Sequence, residues 1–145
     1  MRDLSHELDY LHWMFGPWKR LTAAGGHFSC LQIDSDDVYG LMIEFEKCPL
    51  VTLQMNYLDR SPKREIIALT DKNSFKADLV QGTLEINGKT EKFSVPPDLT
   101  YRLEHQAVLK GNFKALCSYK EGAEVVRMIE AAEKAAKQKV WVHEI

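Results

Sequence analysis

The stretch Val38-Tyr39-Gly40-Leu41-Met42-Ile43-Glu44-Phe45-Glu46, continued through Lys47-Cys48-Pro49 into Val51-Thr52-Leu53-Gln54-Met55-Asn56-Tyr57-Leu58, decides the fold class. In its first arm Tyr39, Leu41, Ile43 and Phe45 fall on one face, and Gly40, Met42 and Glu44 on the other. In its second arm Val51, Leu53, Met55 and Tyr57 oppose Thr52, Gln54 and Asn56. A period of two is the spacing of a strand. Lys47-Cys48-Pro49 supplies a tight return, and one apolar face beside one mixed face marks an antiparallel sheet.

Upstream of this hairpin, Trp18 to Ala24 reads as a short strand ended by Gly25-Gly26, and His27 to Asp36 as an irregular connection carrying Cys30. Downstream, Asp59-Arg60-Ser61-Pro62 is a turn into a third long strand, Arg64 to Thr70. Ser74 to Val80 and Thr83 to Ile86 follow, and Asn87-Gly88 pairs the latter with Lys89 to Val95. Asp98 or Thr100 caps a helix running to about Leu116, with Gly111 a weak point near its end. Ser118-Tyr119-Lys120-Glu121 is a capping box that opens a helix to about Lys137, and Val140-Trp141-Val142 reads as a closing strand. The fold predicted is α+β: a largely antiparallel, open-faced sheet of about six to seven strands, with helices packed on one face. The opposite face, with Met42, Thr52, Gln54 and Asn56, is mixed enough to bury against a second copy, so a homo-oligomer is expected.

Length and composition set the outer limits. The 145 residues are most simply one domain, which buries roughly 68–70% of its unfolded surface. A net charge of −2, without a basic stripe, does not suggest a nucleic-acid partner. Cys30, Cys48 and Cys117 lie far apart, with neither a disulfide pattern nor a zinc spacing, which fits a reducing cytosol. No apolar run is long enough to span a membrane.

At the amino end, Asp3 to Phe15 reads as a helix with Leu4, Leu8, Leu11 and Phe15 on one stripe and Asp3, His6, Asp9 and Trp13 on another. Gly16-Pro17 stops it. A histidine with a carboxylate one turn either way is oriented and made more basic, as proton transfer requires. The same residues also admit a structural reading: Asp3 as a cap, Asp9 and His6 as an ordinary surface pair. Trp13 and Trp18 are both expected to pack in the core. His6 and His12 do not have the H-E-x-x-H zinc spacing, and no metal site is expected.

Ser5-His6-Glu7-Leu8-Asp9-Tyr10-Leu11, followed by Trp13-Met14-Phe15-Gly16, resembles the His-x-x-Asp-Leu-Leu-x-Trp-Leu-Phe-Gly helix of the Gfo/Idh/MocA oxidoreductases. Four further segments resemble that family in the same order. They are Ser35-Asp36-Asp37-Val38-Tyr39 with the strand after it; Tyr57-Leu58 and Arg60 with Arg64-Glu65-Ile66-Ile67; Tyr101-Arg102-Leu103-Glu104-His105; and Cys117 to Gly122 with Ile129 to Glu133. The chain departs from the family at Leu69 to Asn73, where glycines are frequent, and Asp3 precedes His6 by three residues against four in many members.

The resemblance implies the C-terminal, substrate-binding and oligomerisation domain of an NAD(P)-dependent enzyme acting on a sugar or sugar derivative, in the style of surface-polysaccharide pathways. It implies that Asp3 and His6 contact the reacting hydroxyl and that His6 supports proton transfer. Asp9, Asn56, Arg60 and Arg64 are candidates to bind polar substrate groups, the last three being equally readable as solvated strand residues. A dinucleotide-binding domain would precede this helix, and Met1 would then be an artificial start or a truncated frame. No G-x-G-x-x-G follows a strand, and Glu46-Lys47-Cys48-Pro49 is not the family's Glu-Lys-Pro, having an extra residue in a hairpin return. The chain alone is therefore expected to bind neither NAD nor NADP and to be inactive. The competing reading is a free-standing, non-catalytic α+β module that binds a small ligand or a protein.

Overall fold

The computed structural model describes residues 5–144. The chain runs α1 (Ser5–Phe15), β1 (Trp18–Gly26), β2 (Val38–Phe45), β3 (Val51–Asn56), β4 (Glu65–Leu69), β5 (Ser74–Asp78), β6 (Thr83–Ile86), β7 (Lys89–Lys92), α2 (Leu99–Leu109), α3 (Tyr119–Gln138) and β8 (Val142–His143), with one 3-10 turn at Phe113–Ala115. It divides into two compact units, Met1–Leu58 with Cys117–Ile145, and Asp59–Leu116. The class is α+β and the sheets are open and antiparallel, as the alternation foretells. Among the described residues there are eight strands, shared between two four-stranded sheets, β3-β2-β1-β8 and β4-β5-β6-β7.

In the first unit the period-two faces separate as expected. Tyr39, Leu41, Ile43 and Phe45 of β2 are buried, while Met42 stands open on the other face. The register Ile43↔Val51 through Val38↔Asn56 confirms the hairpin. A bulge between Trp18 and Arg20 lets both Trp18 and Leu21 of β1 face inward, although they are an odd three positions apart. Leu8 and Leu11 of α1 and Val125, Met128 and Ala132 of α3 close the core over this sheet. Each large apolar side chain sealed there contributes on the order of 1.5–3 kcal/mol. Trp18 Nε1 donates to the buried carboxylate of Glu124 at 2.8 Å, and Arg127 holds the other oxygen through Nε at 3.0 Å, which fixes the turn of α3 over β1.

Gly25-Gly26 does not end the first strand. Both residues pair with β2, and a Cβ on Gly25 would stand 2.4 Å from the Tyr39 ring. The glycine is there because an aromatic side chain lies across the backbone.

The second unit follows the predicted order with shorter elements. Asn87 and Gly88 have φ of 50° and 82°, the conformation of a two-residue hairpin turn. Asp78 Oδ1 accepts from the amides of Val80 and Gln81, both at 2.9 Å, and this local turn ends β5 before Val80. The helix expected to reach Leu116 stops at Leu109, and Gly111 follows at φ 66°. Ile66, Ala68, Phe75, Ala77, Leu84 and Ile86 share one half-buried face. Among the described residues, Ala107 is the one apolar residue of this unit that is buried. No helix among the described residues is long and apolar enough to cross a membrane.

Candidate functional site

The site begins with the amphipathic pattern of α1. Burying Leu8 and Leu11 turns Ser5, His6 and Asp9 away from the core, and Gly16, at φ 77°, ends the helix with its amide on His12 O at 2.8 Å. Opposite them α3 begins at the capping box, where Ser118 Oγ accepts from Glu121 N at 3.3 Å and Glu121 Oε2 accepts from Ser118 N at 2.7 Å. The two helices flank a cavity of about 500 Å³, open to solvent, lined by Ser5, His6 and Asp9 on one side and by Cys117, Gly122, Val125, Val126, Ile129 and Glu130 on the other. That is the size of a small-molecule site, with an apolar floor and a polar rim.

The His6 side chain is 50% exposed, and its Nε2 lies 3.0 Å from Glu7 Oε1. The carboxylate that touches the imidazole is thus the adjacent residue, one that helix spacing does not single out. Asp9 lines the cavity one turn on. Partial burial, followed by the charges of Asp9 and Glu121, pushes the Cys117 thiol above its ordinary value, so it stays protonated and is no nucleophile at neutral pH. An imidazole at the rim, paired with a carboxylate and open to solvent, can take a proton from a bound hydroxyl or return one.

The other predicted residues are placed differently. Asp3 lies outside the described residues. Asn56 ends β3, where its Oδ1 accepts from Leu58 N at 2.7 Å; it does not line this cavity. Arg60 and Arg64 belong to the second unit. Trp18 is in the core as expected, but Trp13 is 80% exposed, because the stripe it shares with His6 faces away from the sheet. Glu130, Cys117 and the apolar floor have no signal in the first helix; only the pairing of α1 with α3, far apart in sequence, reveals them.

The described residues do not fit a dinucleotide. Their paired strands are antiparallel, and no glycine-rich strand-to-helix turn is present among them. Nor do they gather three His, Cys, Asp or Glu side chains as a metal would need.

No family model matches the sequence, and a search of curated proteins finds no match either. Solved structures do match. The WlbA dehydrogenase from Bordetella pertussis, crystallised with NADH and UDP-GlcNAcA, aligns with 99% of this chain over 46% of its own length, at a TM-score of 0.76 and 16% identity. GenD2 from gentamicin A biosynthesis, in complex with NAD, aligns with 99% of this chain over 47% of its own, at 0.76 and 18%. Levoglucosan dehydrogenase, in complex with NADH, aligns with 96% over 48%, at 0.82 and 15%. What is shared is the fold. The chain spans about half the length of these dehydrogenases.

Proposed function

We propose that this chain is the substrate-binding and oligomerisation part of a Gfo/Idh/MocA-type NAD(P)-dependent oxidoreductase acting on a sugar or sugar derivative. The observation that carries the reading is the cavity between α1 and α3. It presents His6 and Asp9 together, in a fold shared with about half the length of dehydrogenases crystallised with NADH or NAD. In this reading Asp3 and His6 hold the reacting hydroxyl, His6 takes its proton, and Asp9 binds polar groups of the substrate; Asn56, Arg60 and Arg64, which do not line the cavity, are left out of it. The nicotinamide is held by a dinucleotide-binding domain outside this sequence, so the chain alone is inactive.

The test is reduction of NAD or NADP by a polypeptide that joins this sequence to such a domain, over a panel of nucleotide sugars. The chain by itself is expected to turn over none of them, and the joined polypeptide at least one. His6→Ala is expected to lower kcat by about a hundredfold or more, with an unchanged circular dichroism spectrum. Undiminished turnover in that variant would remove the reading.

The outer face of the first sheet is the proposed surface for self-association. Phe28, Ala24, Gly40, Met42, Thr52 and Gln54 line a shallow groove there, in which Phe28 is 71% exposed. Sedimentation is expected to find a dimer or larger at tens of micromolar; a monomer counts against this part of the proposal.

A further inference from the structure

We infer that the cavity between α1 and α3 sorts its ligands by charge, accepting a neutral or amine-bearing sugar and rejecting one that carries a carboxylate. This rests on the reading of the cavity as a sugar site and adds the substrate class.

Two acidic residues line the cavity from opposite walls, Asp9 on α1 and Glu130 on α3. Among the described residues no lysine or arginine lines it. Arg127, three residues before Glu130, is committed to the Glu124 carboxylate through both Nε and Nη2. Among the described residues, the one lining group that can carry positive charge is His6, and its Nε2 already faces Glu7 Oε1 at 3.0 Å. Beside Glu130 on the α3 wall lie Val125, Val126 and Ile129, which cannot screen a charge. Of the two acidic residues, it is Asp9 whose charge is felt at the Cys117 thiol, where it adds to burial, the larger cause, in holding the proton.

Carboxylate oxygens accept hydrogen bonds and donate none, so this rim suits hydroxyl and ammonium donors. A ligand carboxylate brought into the same space would need a cationic partner, and would meet two like charges instead.

The experiment is a titration of the 145-residue chain with glucosamine, glucose and glucuronate at neutral pH. Binding is followed through the amide resonances of Gly122, Val125 and Val126. Glucosamine is expected to bind at least as tightly as glucose, and glucuronate about fivefold or more weakly than glucose, the size of a unit-charge repulsion at contact range in water. In the double variant Asp9→Asn with Glu130→Gln, the three affinities are expected to converge. Equal or tighter binding of glucuronate by the unaltered chain overturns the charge selection while leaving the sugar site standing. A discrimination that survives in the double variant overturns the assignment to these two carboxylates. If none of the three sugars moves these resonances, the sugar-site reading fails and the charge selection with it.

Discussion

Phe45, Leu21, Ile43, Leu8 and Met128 are sealed from solvent in the first unit, whereas Leu69, Leu109, Phe113 and Ile67 of the second are each about two-thirds exposed or more. Both units carry period-two strands, and both have an antiparallel four-stranded sheet. They differ in what lies over the sheet. In the first, α1 and the long α3 bring a continuous apolar stripe onto β1 and β2. In the second, α2 buries only Ala107 among the described residues. Alternation along a strand specifies which residues share a face; only an opposing layer turns that face into a core. The candidate site belongs to the unit that has such a layer, where packed helices can hold His6 and Glu130 at fixed positions.

The largest expected effect tests that contrast directly. Phe45→Ala should cost about 3–5 kcal/mol, because the cavity left among fixed neighbours cannot collapse. Leu69→Ala, at a side chain that is 78% exposed, should stay within about 0.5 kcal/mol. Urea unfolding of the two variants measures the difference. A Leu69→Ala penalty as large as that of Phe45→Ala would mean that the second sheet is covered in solution and that the contrast is false.

This contrast also explains what could be read from the sequence. The hairpin of β2 and β3 was legible because one face is buried, and burial enforces the alternation of Tyr39, Leu41, Ile43 and Phe45. The division of the strands into two sheets was not, since residues 59–95 alternate equally well and nothing local says which strand is a neighbour to which. Gly25-Gly26 misleads for a related reason: a glycine that ends a strand and a glycine that makes room for the cross-strand Tyr39 ring are the same letter. At the site, His6 and Asp9 were legible from helical spacing and from resemblance. Glu7 was passed over as the partner of His6 because adjacent residues on a helix point in different directions, yet a long glutamate can fold back to reach the ring. Glu130 lies more than a hundred residues further along the chain, on a helix whose role in the cavity depends on tertiary packing.

A smaller effect is expected from a change in the second unit alone. Gly88 sits at φ 82°, and a Cβ placed there would meet nothing within 4 Å, so Gly88→Ala adds backbone strain without a clash. The cost should be about 1–2 kcal/mol, the penalty for a Cβ in the left-handed region. It should appear as faster amide exchange in β6 and β7, with β1 to β3 unchanged. Equal loosening of both sheets would show that the two units do not respond independently, and the contrast in their cores would then say little about where stability resides.

The smallest expected effect is confined to the connection between β1 and β2. Asp37 is buried, and its carboxylate accepts from Phe28 N at 2.8 Å, Ser29 N at 2.9 Å and Ser29 Oγ at 2.5 Å. The Ser29 hydroxyl, working against burial and joined by the Phe28 and Ser29 amides, holds its pKa at about 2, below the ordinary 3.8. A carboxyl whose pKa is lower in the folded chain than in the unfolded one stabilises the fold fully above the ordinary value, and that contribution is lost as pH falls through the folded value. The amides of Phe28 and Ser29 should therefore be protected from exchange at neutral pH and lose that protection as pH falls from 3.8 toward about 2. Asp37→Asn, which keeps the shape but removes the charge and one acceptor, should weaken the protection at neutral pH and abolish its acid dependence. The second sheet should show neither change. Identical acid limbs in the variant and the unaltered chain would mean that the connection is held by its backbone contacts, Asp37 N to Gly26 O and Tyr57 N to Asp37 O, each at 3.0 Å, and that the buried carboxylate is not what fastens it.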